Sequence, residues 1–364
     1  MAGVAIVGSG LAGFTAYQTL RRGLASGEIV VFGTDVDPAA AWRVRAAAIR
    51  QRVMRSESDG HCRAATFPGL AFQGVFRRRS LRPLIETLSD RYHPTVEEFL
   101  DHVERTRERS GWDESLVPRR VRRVQAVEGG FELDGERFDH VLLAPGHPGL
   151  NVPDELRDDP RAVHSYEPHE YSSTVTVVGA GLAAATEWLN ALAAGAEVVS
   201  VRRHEPERRP LNVPREYFSR RGLAAFHRLP ARERIERLRA LTAPSYPPGR
   251  EWDEPLERAS REGRFRVESS PNGSVQVICA TGFVRGWRND RLLSALVADH
   301  ELATAGDWIV VGPDSTVPGL SDATRTLALA GAPGQWVFPA ADTLAGARYA
   351  GHCFLRRVKA CRTR

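Results

Sequence analysis

Two glycine-rich turns of the same design stand about 170 residues apart in this chain. The first follows the apolar run Val4-Ala5-Ile6-Val7 and reads Gly8-Ser9-Gly10-Leu11-Ala12-Gly13. The second follows Val175-Thr176-Val177-Val178 and reads Gly179-Ala180-Gly181-Leu182-Ala183-Ala184. A short strand running through G-x-G-x-x-G/A into a helix is the arrangement that holds a dinucleotide pyrophosphate. Gly8 and Gly179 permit the tight turn, while Gly10 and Gly181 let backbone approach phosphate with no Cβ in the way. A small last residue, Gly13 or Ala184, lets the helix pack on the strand. The helix starts, with Leu11, Ala12 and Leu182 in their first turns, offer free N–H groups to the anion. Two such turns in one chain predict two bound dinucleotides, and therefore redox chemistry.

Which dinucleotide belongs where is read from the end of the next strand, which faces the adenosine ribose. An acid there accepts from ribose hydroxyls, and an arginine there accommodates a 2′-phosphate. After the second turn that position is Arg202, backed by Arg203, and a guanidinium pairs well with phosphate. The second unit is therefore expected to bind NADPH. After the first turn the strand ends Val30-Val31-Phe32-Gly33-Thr34-Asp35. Glycine occupies the acid's place, so Asp35, displaced by two residues, is the expected ribose ligand, with Asp37 as a substitute. With no arginine at that strand end, the first site suits FAD.

A length of 364 residues allows two domains, one of them discontinuous. With 42% hydrophobic and 26% charged residues the composition is that of an ordinary globular protein. No apolar run nears the roughly 18 residues that span a bilayer, and the glycine-broken start lacks a basic leader, so a cytoplasmic location is expected. The net charge of +5 raises nucleic acid as a partner. Its basic residues are spread along the chain and interleaved with acids, as in Arg232-Glu233-Arg234-Ile235-Glu236-Arg237, which is the pattern of a solvated helix face. Neither nucleic acid nor membrane is therefore expected as a partner. None of the four cysteines forms a C-x-x-C pair or a zinc spacing, so dithiol chemistry and metal have no support.

Along the chain, Thr95 to Arg109 has helical apolar spacing, with Thr95 and Glu98 forming a capping box. Val121 to Val127, Phe131 to Leu133 and Phe138 to Ala144 read as strands, the first two in a small meander. Residues 204–265, rich in Pro and Arg, are too long for a plain connection and read as an insertion that covers something. Trp336 to Asp342 reads as a last strand, followed by a helix from about Ala345.

With these features the chain resembles flavoproteins that have two dinucleotide-binding domains, and the resemblance runs over most of its length. It implies an α/β fold of two Rossmann-like three-layer domains, the FAD domain being interrupted by an inserted NADP domain. The expected parts are 1–165 and 283–364 for FAD, and 166–282 for NADP. Leu143-Ala144-Pro145-Gly146 and Ala280-Thr281-Gly282 resemble the motifs through which the chain leaves and re-enters. The resemblance carries cofactor contacts to Val121, Gly146, Thr281 and Gly282, to Asp342 at the flavin ribityl chain, and to Ala345 at a helix start facing the flavin pyrimidine.

Within that group the details resemble class B flavin monooxygenases of the flavin-containing, Baeyer–Villiger and N-hydroxylating types. Trp42 in Ala39-Ala40-Ala41-Trp42 resembles their GG-x-W element, with both glycines replaced. Pro94-Thr95-Val96-Glu97-Glu98-Phe99-Leu100 resembles their P-x(4)-Y-L helix. His164-Ser165 resembles the end of F-x-G-x(3)-H without its leading Phe and Gly, and Ala280-Thr281-Gly282-Phe283 resembles ATG-Y/F. The activity implied is transfer of one oxygen from O2 to nitrogen, sulfur or a carbonyl carbon of a small-molecule substrate, through a flavin C4a-(hydro)peroxide. Arg55 and His61 are candidates to line the flavin, and Arg215, Arg220 and Arg221 to meet NADP or an acidic substrate. The alternatives are an NADPH-dependent FAD oxidoreductase without oxygenation, and a non-catalytic dinucleotide-binding redox module.

Overall fold

The computed structural model describes residues 3–54, 69–88, 93–209, 213–271, 273 and 275–363. Its fold is α/β, built on two parallel five-stranded sheets. The first sheet runs in the order Thr326–Leu329, His140–Leu143, Val4–Val7, Ile29–Gly33, Leu116–Pro118. The second runs Phe265–Glu268, Glu197–Val201, Thr174–Val178, Val277–Cys279, Ala162–His164. The first sheet thus takes strands from both ends of the chain, and the second lies between them in sequence.

Successive strand residues face opposite sides, and this alternation divides the core around the first sheet. Val4, Ile6, Val31 and Leu142 pack with Tyr17, Leu20 and Phe354 of the helices Leu11–Leu20 and Leu344–Arg362. Ala5, Val7, Phe32 and Leu143 pack with Phe131, Leu133 and Phe138 of the antiparallel meander Val124–Val127, Gly130–Leu133, Glu136–Phe138. In the second unit Val175, Val177, Val198 and Ile278 pack with Trp188 of the helix Leu182–Ala193. The helix Val96–Glu108 begins in the expected capping box: the Glu98 N–H donates to Thr95 Oγ1 at 3.1 Å, and the Thr95 N–H to Glu98 Oε2 at 2.8 Å.

Both glycine turns are closed by one device. The Gly8 N–H donates to the Phe32 carbonyl at 2.8 Å, and the Gly179 N–H to that of Val201 at 3.0 Å. From the other side, the Ala144 N–H donates to Val7 at 2.7 Å and the Ala280 N–H to Val178 at 2.8 Å. Gly8 and Gly179 adopt φ +118° and +134°, and a Cβ on either would run into the carbonyl of Ala144 or Ala280.

Two expectations are corrected. The run Trp336 to Asp342 is not a strand: the fifth strand is Thr326–Leu329, and Ala332–Trp336 is a 3₁₀ turn. Gly331, at φ +70°, starts that turn, and the N–H groups of Val337 and Phe338 return to the Gly334 carbonyl at 3.2 Å. A short buried apolar run has no periodicity that tells these cases apart. Likewise Phe138 to Ala144 is split, with Phe138 ending the meander and His140–Leu143 joining the main sheet.

The stretch 204–265 forms the helices Arg220–His227, Ala231–Leu241 and Arg250–Arg261. Its middle packs on the first unit: Tyr217, Leu223, Phe226 and Leu238 share a core with Trp336 and Phe338. His227 Nε2 lies 2.7 Å from the Val337 carbonyl, and Arg234 covers the Trp336 ring at 4.6 Å. Among the described residues no helix is long and apolar enough to cross a membrane.

Burial pulls His102, His140, His147, His164, His227 and His352 below the ordinary histidine pKa of 6.5. His169 moves the other way: burial pushes it down, but hydrogen bonding and charge pairing with the Glu187 carboxylate carry it above that value. For the depressed group the unfolded chain takes up protons first, so stability is full above pH 6.5 and falls as pH drops through the folded-state values. The melting temperature is expected to fall between pH 7 and pH 5. His140→Leu, which removes one such group, makes that decline shallower; an unchanged slope would show that burial of His140 is not coupled to folding.

Candidate functional site

Helix starts show where this chain leaves polar groups for a ligand. The first N–H groups of any helix lack intrahelical acceptors. In four helices a side chain supplies one: Thr95, Ser219, Asp290 and Thr343 accept from Glu98, Gly222, Leu293 and Gly346. The helices Leu11–Leu20 and Leu182–Ala193 begin at Gly10 and Gly181, with no side-chain cap and no acid in the first turn. A Cβ at Gly10 or Gly181 would meet nothing within 4 Å. These two starts are the ones following the glycine turns, and their uncapped amides and bare approach fit a pyrophosphate.

Both starts open on one cavity of about 2220 Å³. That is at least twice the roughly 300–1,000 Å³ of a pocket for one drug-sized ligand. Leu11, Ala12, Trp42, Gly179, Gly181, Leu182, Arg202, Arg203, Thr281, Gly282, Asp342 and Ala345 all line it. Its wall also includes Arg215, Phe218, Arg220 and Leu223, so the insertion closes the cavity from outside. Arg221 is not in the lining and is exposed.

Gly8 and Gly13 sit behind the first turn, where each permits close backbone contact: a Cβ on Gly13 would strike the Gly8 carbonyl. Ala184 is fully buried under the second sheet. Val121 is buried in the core beside the meander, and its side chain does not reach the cavity. Gly146 lies in the crossover between Ala144 and His147, with φ +81°. Arg55 and His61 lie outside the described residues.

Glycine stands at position 33 for a steric reason. A Cβ there would collide with the Ser9 side chain, so no acid fits. Asp35 is exposed beyond it, its N–H donating to Ser9 Oγ at 3.3 Å and its carboxylate accepting from Thr34 Oγ1 at 3.0 Å. Asp37 is committed elsewhere: it accepts from the Ala39 N–H at 2.8 Å and pairs with Arg43 at 3.0 Å. At the other strand end Arg202 contacts the exposed Glu205 at 2.7 Å and lies 5.6 Å from the Trp188 ring centroid, while Arg203 is exposed to solvent.

At the junction of the units the two crossovers meet. The Asn151 N–H donates to the Gly282 carbonyl and the Val284 N–H to that of Gly149, both at 2.9 Å. Three residues beyond the alanines that close the turns, His147 and Phe283 stack at 4.7 Å with an 8° interplanar angle. Tyr166 stacks on Phe283 at 5.1 Å and 12°, and Arg45 lies 4.8 Å from the Phe283 centroid. His164 accepts from the Tyr166 N–H at Nδ1 (3.1 Å), which leaves Nε2–H to donate to the Gly282 carbonyl (3.0 Å). The residue thus ties the second unit to the crossover. His147, Tyr166 and Arg45 were not legible as site residues, apart from the helical i, i+3 spacing that puts Arg45 beside Trp42.

No protein-family model matches the chain, and no curated protein matches its sequence. Solved structures do match over nearly full length. Ornithine hydroxylase from Pseudomonas aeruginosa has TM-score 0.69 and 17% identity, over 98% of this chain and 99% of that one. An ornithine N-hydroxylase from Kutzneria sp. 744, solved with reduced FAD, NADP+ and L-ornithine, has TM-score 0.73 and 14% identity, over 99% and 100%. The bacillithiol disulfide reductase of Bacillus cereus has TM-score 0.61 and 14% identity, over 100% and 99%. The chain has the fold these proteins share.

The two kinds of glycine are expected to separate by mutation. Gly8→Ala and Gly179→Ala force a Cβ into carbonyl oxygen at positive φ, and each lowers stability by about 1–3 kcal/mol. Gly10→Val and Gly181→Val leave the melting temperature of the ligand-free protein nearly unchanged but weaken dinucleotide binding tenfold or more, roughly the loss of one charged hydrogen bond. Thermal melts and cofactor titration distinguish the two outcomes.

Proposed function

We propose that this protein is an FAD-dependent, NADPH-using monooxygenase that inserts one oxygen atom from O2 into a small-molecule substrate at nitrogen, sulfur or a carbonyl carbon. One observation carries the reading: two uncapped helix starts face a single cavity, and a strand-end arginine pair stands on only one side. In this reading residues 1–165 and 283–364 form the FAD domain and 166–282 the NADP domain, except that the strand Ala162–His164 pairs in the second sheet and so goes with the NADP domain. The two ornithine hydroxylases named above share the fold from end to end. When bound, NADPH supplies hydride and FAD supplies the redox and oxygen chemistry.

The chain's own part is positioning and exclusion. Gly10, Leu11 and Ala12 would hold the FAD pyrophosphate, with Asp35 the acid nearest that strand end. Gly181 and Leu182 would hold the NADPH pyrophosphate, and Arg202 with Arg203 its 2′-phosphate. The Arg202–Glu205 pair does not oppose this, because an ion pair with an exposed carboxylate is worth little and exchanges readily. At the start of the helix Leu344–Arg362, Thr343 caps only Gly346. The N–H groups of Leu344 and Ala345 stay available, and the positive helix end favours negative charge on a reduced flavin. Asp342, exposed in the cavity wall, would accept from the ribityl hydroxyls. The insertion, anchored on Trp336 and Phe338, keeps bulk water from the reacting groups.

A second reading is favoured by the likeness to a disulfide reductase: the same cofactors could pass electrons to an acceptor without oxygenation. The expected result for the first reading is yellow protein that oxidises NADPH and incorporates ¹⁸O from ¹⁸O2 into product. NADPH oxidation that yields only hydrogen peroxide supports the second. Colourless protein that refuses added FAD removes both. Arg202→Ala is expected to raise the KM for NADPH by roughly tenfold or more, as for one lost charged contact, and that for NADH much less. Equal changes would refute the phosphate assignment.

A further inference from the structure

Arg45 is a charged group in the cavity wall that neither dinucleotide cradle accounts for. It lies on the helix Ala40–Ala48, three residues after Trp42, so both side chains face the cavity. Among the described residues its guanidinium has no hydrogen bond and no ion pair. The neighbouring arginines are committed, Arg43 to Asp37 at 3.0 Å and Arg50 to Glu170 at 2.8 Å. Burial pulls the Arg45 pKa below its ordinary value, and the one group acting against that is Tyr166, a neutral phenol at neutral pH. An arginine stays charged nonetheless. A half-buried cation without a counter-ion costs free energy that a bound anion offsets.

The surroundings narrow the anion. Arg45 sits over Phe283, beside the rings of His147 and Tyr166, at the far ends of the crossovers and not at Gly10 or Gly181. The phosphates of both dinucleotides have their own uncapped helix starts. Two carboxylates act on this stack: Asp342, through its charge on His147, is the residue assigned above to the ribityl chain, and Glu187, through Tyr166, is engaged by Tyr171 and His169. A diamine would therefore meet arginine and aromatic rings there, with no uncommitted acid at the stack among the described residues.

We propose that Arg45 is a specificity-determining residue that binds the carboxylate of a small organic acid whose carbon skeleton lies against the His147–Phe283–Tyr166 stack. The guanidinium fork pairs with the two carboxylate oxygens, and the rings cover the apolar part. Calling that acid the oxygenation substrate rests on the monooxygenase reading; its binding does not.

The test is calorimetric titration of the FAD-loaded protein, with saturating NADP+, by butyrate, benzoate and phenylacetate, their matched neutral amides, and 1,5-diaminopentane. The carboxylates are expected to bind roughly ten- to hundredfold more tightly than the amides, as for one charge-assisted pair. Arg45→Gln abolishes that preference and Arg45→Lys restores part of it. Arg43→Gln, which removes the same charge from the outer face of the same helix, leaves the preference intact. Melting curves and flavin content of each variant check that the fold is kept. The proposal is overturned if carboxylates and amides bind alike, if Arg45→Gln keeps the preference, or if the diamine binds best. It is also overturned if the preference exists without NADP+ and vanishes with it, since Arg45 then belongs to the nucleotide. A carboxylate preference in a protein that releases only peroxide would sink the monooxygenase reading and leave this one standing.

Discussion

The contact on which this structure turns is a backbone carbonyl pressed against a glycine, made twice. The Ala144 carbonyl fills the space where Gly8 would carry a Cβ, and the Ala280 carbonyl does so at Gly179. Each contact brings a third strand beside the first strand of its unit and forces the chain to turn before the helix starts. The glycine that follows is left facing open space, and the helix amides behind it point into the cavity. Packing behind the turn and emptiness in front of it are thus one arrangement.

The same alanines set the relation between the two units. From each, the chain runs three residues to a ring, and the rings of His147 and Phe283 stack. The two crossovers pair through backbone hydrogen bonds at 2.9 Å, and His164 adds a side-chain bond to Gly282. Two uncapped helix starts, one from each unit, are in this way held over one cavity, which is the arrangement that direct transfer between two bound cofactors would require. The insertion completes the enclosure because its middle packs on Trp336 and Phe338, while Tyr246 and Ala259 further along join the core of the second unit.

Electrostatics divides the labour among the arginines. Many are surface partners of carboxylates, such as Arg123 with Asp299 at 2.9 Å and Arg107 with Asp113 at 2.8 Å, and pairs of this kind add little stability. Arg202 has a weak, exposed partner, and Arg45 has none among the described residues. A count of basic residues could not separate these roles, since the separation depends on which carboxylates the fold brings near.

Both glycine turns, the strands before them, the capping box at Thr95 and the covering role of residues 204–265 were legible in the sequence. Each is a local matter of backbone conformation, periodicity or loop length, decided by residues close together in the chain. The run Trp336 to Asp342 was not legible, because a buried apolar stretch looks the same as a strand or as a turn. The reason for glycine at position 33 was also hidden, since the obstacle, Ser9, belongs to another segment. Only the tertiary structure could assemble His147, Phe283, Tyr166 and Arg45, which come from four stretches of chain with no shared pattern. The sequence by itself determined what each unit could hold, through short-range geometry; long-range packing alone decided what stands between them.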